Sequence, residues 1–150
     1  YDGALPSGNA VALLNLLRLA RLTANDKLTE IAERQIKAFS GIIGQYPWGH
    51  THFLMGVDFM LGPTREIVIA GRAGEADTET MLRAARQAFL PDTVVAWHPD
   101  GEVGGEIEKL VPFMREQRSV NGKAAAYICE NYACQAPVTD LEQFAEKLRQ

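Results

Sequence analysis

The side chains of this sequence that could do chemistry fall into separate clusters. Asp2, Ser7 and Asn9 lie in one short loop, Asp-Gly-Ala-Leu-Pro-Ser-Gly-Asn, that runs into an apolar stretch. There Asp2 is a candidate catalytic carboxylate at a pocket mouth. Ser7 and Asn9 would offer hydrogen bonds to a polyhydroxyl ligand at the positive end of a helix. The same residues also suit a tight turn with Ser7 as helix N-cap. Asp58 interrupts the apolar run from Phe53 to Leu61, where an uncompensated charge would be costly. It falls on the same side as Thr51, one heptad earlier. His50 and His52 stand at the start of that segment, where an imidazole could do acid–base work, so Asp58 and His52 join Asp2 as catalytic candidates. The plainer alternative pairs Asp58 with an arginine such as Arg18.

A further set lies downstream. Gly71-Arg72-Ala73-Gly74 lacks both the dinucleotide pattern and a P-loop lysine and reads as a turn. Cys129 and Cys134 do not have the Cys-x-x-Cys spacing of redox sites. A zinc site drawing on His98 and Glu130 would fall short of the usual Cys and His ligands. No metal and no cofactor are expected. Cys129 reads as a small buried strand residue and Cys134 as a loop thiol, the redox candidate, with no disulfide between them. No catalytic set is complete: a glycosidase needs two carboxylates at a defined separation, and an epimerase needs a base and an acid.

The elements that would position these groups follow from periodicity. From Ala10 to Leu22 only Asn15, Arg18 and Arg21 are polar, which predicts a helix surrounded by protein. Asn25 or Asp26 caps a second helix to about Gln45, with Leu28, Ile31, Ala32, Phe39, Ile42 and Ile43 on one face. After Tyr46-Pro47-Trp48-Gly49 a third helix runs from about His50 to Leu61, and Gly62-Pro63 stops it. There the periodicity changes, so residues 1–63 form a helical segment and residues 64–150 a small α/β subdomain. Glu66–Ala70, Thr93–Trp97 and Ala125–Cys129 read as strands. A helix from Asp77 or Thr78 to Phe89, with Met81, Leu82, Ala85 and Phe89 inward, and another near Gly105–Leu110 lie between them. Thr139-Asp140-Leu141-Glu142 reads as a capping box before a last helix facing inward through Leu141, Phe144, Ala145 and Leu148. Strand alternating with helix predicts a three-stranded parallel sheet. Its carboxyl edge would gather Gly71–Gly74, His98 and Cys129–Cys134.

The Asp2–Ala10 motif, followed far downstream by Ala126-Tyr127-Ile128-Cys129-Glu130-Asn131-Tyr132-Ala133-Cys134-Gln135-Ala136-Pro137-Val138-Thr139-Asp140, resembles the C-terminal end of a thioredoxin-domain-containing family. That family includes the vertebrate spermatogenesis-associated protein 20 and bacterial homologues. The resemblance implies a thioredoxin-like domain first, then an (α/α) toroid similar to N-acylglucosamine 2-epimerases and six-hairpin glycosidases, then a short α/β tail. On that basis residues 1–63 are the last part of the toroid, with buried first and third helices and a peripheral second one. The sequence, opening on Tyr1 inside a motif, is expected to be a piece of a longer chain. The implied roles are completion of a carbohydrate-type pocket, a redox or interaction module serving the thioredoxin-like domain, or purely structural closure of the ring.

Bulk properties bound the partners. With 150 residues and 47% hydrophobic side chains, the chain can bury an ordinary core. A formal charge of −4 gives no broad positive field for nucleic acid or anionic membrane. The longest apolar run is far short of the ~20 residues of a membrane span. Two cysteines fit a reducing cytoplasm rather than a disulfide scaffold. The expected partners are a carbohydrate-type small molecule and the preceding parts of the same protein, and the isolated segment is expected to self-associate or expose an apolar patch.

Overall fold

The computed structural model describes residues Tyr1–Arg149. It separates into two units, one spanning Tyr1–Thr64 and one beginning at Arg65.

In the first unit, helix α1 (Gly8–Thr23) starts where Ser7, in extended backbone, accepts the Ala10 N–H on its hydroxyl at 3.2 Å. It ends at Ala24, which takes the left-handed conformation at φ 50°. Ala10, Leu13, Leu14, Leu17 and Ala20 form its buried stripe, while Val11 and Leu19 are exposed. The expectation of a helix enclosed on nearly all sides is therefore met only along one face within these residues. Helix α2 (Asp26–Gln45), capped by the Asn25 side chain on the Lys27 N–H, buries only Ala32 and Ile43 and is peripheral. A 3-10 turn at Pro47–Gly49 leads to helix α3 (Thr51–Leu61). Helices α1 and α3 approach closely because Gly56 has no side chain: a Cβ there would lie 2.7 Å from Leu13 Cδ2.

The second unit is built on strand β1 (Arg65–Gly71), followed by helix α4 (Ala76–Gln87) and strand β2 (Thr93–Pro99). These strands pair in parallel, Arg65 with Thr93 through Gly71 with Pro99. Helix α5 (Glu102–Leu110) and a 3-10 turn at Pro112–Glu116 then lead to strand β3 (Ala125–Glu130), the two-residue strand β4 (Ala133–Cys134) and helix α6 (Leu141–Lys147). The sheet order is β2-β1-β3-β4, with β3 antiparallel to β1 and β4 antiparallel to β3. The expected three-stranded parallel sheet is thus corrected to a four-stranded mixed one. The reason lies in the connection after β2. Helix α5 stops at Leu110 ahead of Pro112, and the chain comes back to enter β3 at Ala125, opposite Ala70 and beside the point where β2 leaves. A parallel partner would have required a crossover to the other end of the sheet.

Strand β1 is buried on both faces. Ile67 and Ile69 join Ala126, Ile128, Val138, Met81, Leu82, Ala85, Phe144 and Leu148 in one core. By the two-residue alternation of strands, Glu66, Val68 and Ala70 look the other way. Two smaller expectations are also corrected. Phe89 is 90% exposed, because α4 ends at Gln87 and Ala88 turns extended, taking the chain off the helical stripe. The cap of α6 is Asp140, not Thr139, with its carboxylate on the Gln143 N–H, and Leu141 is correspondingly exposed.

Gly104 of α5 sets the approach of that helix to β2. A Cβ there would stand 2.1 Å from the Pro99 carbonyl oxygen and 3.2 Å from His98 Nε2. Helix propensity alone favours Gly→Ala by up to about 1 kcal/mol, whereas a clash with backbone forces the helix away at a cost of about 1–3 kcal/mol. Gly104→Ala is therefore expected to destabilise the second unit, read as an earlier midpoint in denaturant unfolding followed by Trp97 fluorescence.

Candidate functional site

Asp2 is held from several directions. Its Oδ1 accepts the Ser7 N–H at 2.7 Å, and its Oδ2 accepts the N–H groups of His52 and Phe53 at 2.9 and 3.1 Å. The last two are otherwise unpaired donors in the first turn of α3, so the carboxylate caps that helix and ties it to the start of α1. Burial pushes the Asp2 carboxyl up, but the Ser7 and Phe53 N–H groups, the Ser7 hydroxyl and the His52 N–H together outweigh it and hold the group below the usual carboxylate range. Ser7 is half-buried and occupied at both ends of its hydroxyl, while Asn9 is exposed, its carbonyl accepting from Gln35 Nε2 at 2.7 Å. The loop residues do come together, and the bonds they make are with their own chain.

Asp58 is exposed on α3. With Thr51, Leu54, Met55, Val57 and Leu61 it lines an open groove of about 430 Å³. Thr51 and Asp58 thus share one side of the helix, away from Phe53, Gly56 and Phe59, which are buried. His52 is half-buried and its backbone serves Asp2; His50 is buried just before the helix, edge-on to Tyr1.

In the second unit the carboxyl ends of β1 and β2 carry a polar network. His98 is buried, and since a carbonyl only accepts, its Nδ1 donates to the Gln117 carbonyl at 2.6 Å. Its Nε2 lies 3.1 Å from Glu108 Oε1, which also meets Arg118 Nη2 at 2.8 Å. Partial burial pushes the Glu108 carboxyl up, yet the His98 hydrogen bond and the Arg118 charge hold it below the ordinary glutamate range. Arg72 and Ser119 both meet Asp100. Among the described residues no group of three or more His, Cys, Asp and Glu side chains is arranged to hold a metal ion, and no helix is long and apolar enough to cross a membrane.

The cysteines depart from expectation. Cys129 and Cys134 stand opposite each other on β3 and β4 and are joined by a disulfide. Cys134 is accordingly not a free loop thiol. Its spacing from Cys129 is that of a cross-strand pair flanking a two-residue hairpin turn, and the two-residue β4 is too short to announce that turn in the sequence. Because β3 is antiparallel, the pair lies by Glu66 near the start of β1, at the other end of that strand from the Gly71–Gly74 turn. Two residues of this neighbourhood, Glu66 and Gln117, have polar roles that the sequence does not assign them. Glu66 is fully buried, accepting the Tyr132 N–H at 3.1 Å, and a charge opening an apolar strand was the available signal. Gln117 is buried between His98 and Cys134, and nothing local marks it.

No family model matches the chain, and no solved structure matches it. It is similar to spermatogenesis-associated protein 20 of Homo sapiens, 30% identical over 139 residues, covering 93% of this chain and 18% of that protein. The proteins of the same name from Rattus norvegicus and Mus musculus are each 30% identical over 149 residues, 99% of this chain and 19% of theirs. The chain therefore spans less than a fifth of the length of these relatives, and it matches a C-terminal region of them.

Asp2 gives a pH test. A carboxyl whose folded pKa is depressed contributes stability that is complete above its unfolded value, near 3.8, and is lost as pH falls through the lower folded value. Asp2→Asn keeps one acceptor but sets an NH₂ group against a backbone N–H. It is expected to cost about 1 kcal/mol at neutral pH and to flatten the loss of stability below pH 3.8, as measured by denaturant unfolding of the first unit across pH.

Proposed function

We propose that this chain is the closing segment of a longer protein like spermatogenesis-associated protein 20. In this reading residues 1–63 complete an (α/α) toroid, and residues 64–150 form the small α/β subdomain that follows it. The observation that supports it is the occupancy of Asp2. A carboxylate has about four acceptor sites, and four donors from Ser7, His52 and Phe53 meet this one. A group so committed fixes where the chain enters and how α1 and α3 start together, which is the work of ring closure. It has little left with which to bind a sugar hydroxyl or to act as an acid or base.

The groove on α3 favours a second role within the same ring. Thr51 and Asp58 stand there on an otherwise apolar wall, and Leu61 is 76% exposed. In the intact toroid that face would meet neighbouring helices through Leu54, Met55 and Leu61. A carbohydrate-type ligand, in an epimerase-like or glycosidase-like pocket, would then be met by Asp58 and Thr51 rather than by Asp2, Ser7 and Asn9.

The exposed face supplies the test. Leu61→Lys should change the stability of the isolated 150-residue chain by less than about 0.5 kcal/mol. In the intact protein, where the side chain is covered, the same change should cost about 1.5–3 kcal/mol. Equal small effects in both would rule out a covered α3 face. Asp58→Asn in the intact protein, assayed against a panel of sugars by calorimetry, addresses the pocket separately: binding unaltered by the substitution removes Asp58 from it.

A further inference from the structure

We propose that the Cys129–Cys134 disulfide is a redox-active site, opened by an external dithiol that attacks Cys134. This inference concerns the second unit and stands independently of the toroid reading.

A staple is a weak account of this bond. Cross-linking stabilises a fold mainly by restricting the unfolded chain, and the gain falls as the closed loop shortens; here the cysteines are only 5 positions apart. The hairpin is moreover closed by other means. Asn131 and Tyr132 hold φ of 50° and 63°, the positive values that tight two-residue hairpin turns require. The Tyr132 N–H is bound by the buried Glu66 carboxylate, and its ring packs on Phe113 at 5.3 Å.

The two cysteines also differ in exposure. Cys129 is 1% exposed, whereas Cys134 lies at the surface. An incoming thiolate therefore reaches Cys134 first and leaves Cys129 as the departing sulfur. Glu66, fully buried, stands directly opposite Cys129 on β1, so carboxyl and sulfur share one face of the sheet.

Gln117 provides the independent sign. It is 6% exposed, its Nε2 donates to Cys134 Sγ at 3.3 Å, and its Oε1 is buried with no hydrogen-bond partner among the described residues. Such an unmatched acceptor is costly in a folded protein. A disulfide sulfur has no proton to offer it, but a Cys134 thiol does. The amide beside Cys134 is thus half-satisfied in the oxidised form and can be satisfied fully in the reduced one.

Exchange proceeds in two displacements. One thiolate of the dithiol attacks Cys134 Sγ, forming a mixed disulfide. The Sγ–Sγ bond breaks with its electron pair on Cys129, which takes up the proton that the incoming thiol released. The second thiol of the reductant, deprotonated, then attacks its own sulfur in the mixed disulfide. Cys134 leaves as a thiolate, takes up that proton and donates it in a hydrogen bond to Gln117 Oε1. In sum the protein gains two electrons and two protons, and the dithiol becomes a cyclic disulfide.

The test titrates the 150-residue chain with dithiothreitol at fixed ratios to its oxidised form. Acid quenching, maleimide alkylation and intact mass follow the cysteines, while Trp97 fluorescence follows the fold. The expected result is reversible uptake of two maleimides with unchanged fluorescence. Oxidised glutathione should add to Cys134 in Cys129→Ser and fail to add to Cys129 in Cys134→Ser. Gln117→Leu should require an about fivefold higher ratio of reductant, the equivalent of one hydrogen bond; Gln117→Met, measured in the same way, replaces it if Gln117→Leu does not fold. The proposal is overturned if the bond yields only as the chain unfolds, if glutathione adds to Cys129 as readily as to Cys134, or if a folded Gln117 variant keeps the wild-type midpoint.

Discussion

Strand β1 carries the second unit, because it is hydrogen-bonded on both edges and covered on both faces. An unbroken apolar run, Ile67–Ala70, is the sequence that such a position requires. Ile67 and Ile69 fill the layer against α4 and α6, while Val68 and Ala70 fill the layer beyond. The consequence reaches the candidate chemistry. Glu66, at the head of the run, cannot escape to solvent, and its carboxyl accepts a backbone N–H from the β3–β4 turn. At the other end Gly71 admits Thr78 and Ala124 so closely that a Cβ would stand 2.4 Å from the threonine hydroxyl.

The two units solve a similar problem in different ways. Each must fix the start of a helix to a distant piece of chain, and each uses an aspartate. Asp2 binds Ser7 and the first turn of α3. Asp77 accepts the Ala124 N–H at 2.7 Å and the Thr78 N–H at 2.8 Å, holding α4 to the segment that feeds β3. The Ala124 N–H, ahead of the opposing effect of burial, keeps the Asp77 carboxyl below its usual range. Both acids are engaged in architecture, which leaves the less obvious residues Asp58 and Gln117 as the more open chemical prospects.

What the sequence made legible was local. Ser7 and Asn25 announce helix starts because a cap is a bond to a residue two or three positions away, and Pro112 marks the end of α5 for the same kind of reason. The direction of β3 was not legible: an apolar strand reads the same whether it runs up or down the sheet, and the connection before it decides. Strand β4 is too short to show any alternation, and with it the pairing of Cys129 and Cys134 stayed hidden. At α6 the capping-box pattern placed the cap one residue early, at Thr139, whereas Asp140 caps the helix and it is the Gln143 N–H, not that of Glu142, that donates to it. Of the candidate residues, Asp2 and Ser7 were found as a pair and Thr51 and Asp58 as neighbours, but the bonds that occupy Asp2 come from α3, which no local pattern could reveal.

The order of strands leaves the sheet unequal at its two margins. On one side β4 is two residues long and its cysteine is cross-linked to the strand within, so it offers almost no backbone for another strand to join. On the other side β2 presents seven residues with Val95 partly uncovered, and its last residue is Pro99. Any extension of the sheet, whether by aggregation or by assembly with another polypeptide, is thereby confined to the β2 margin. There Pro99, which has no amide proton to give, marks where such pairing must stop.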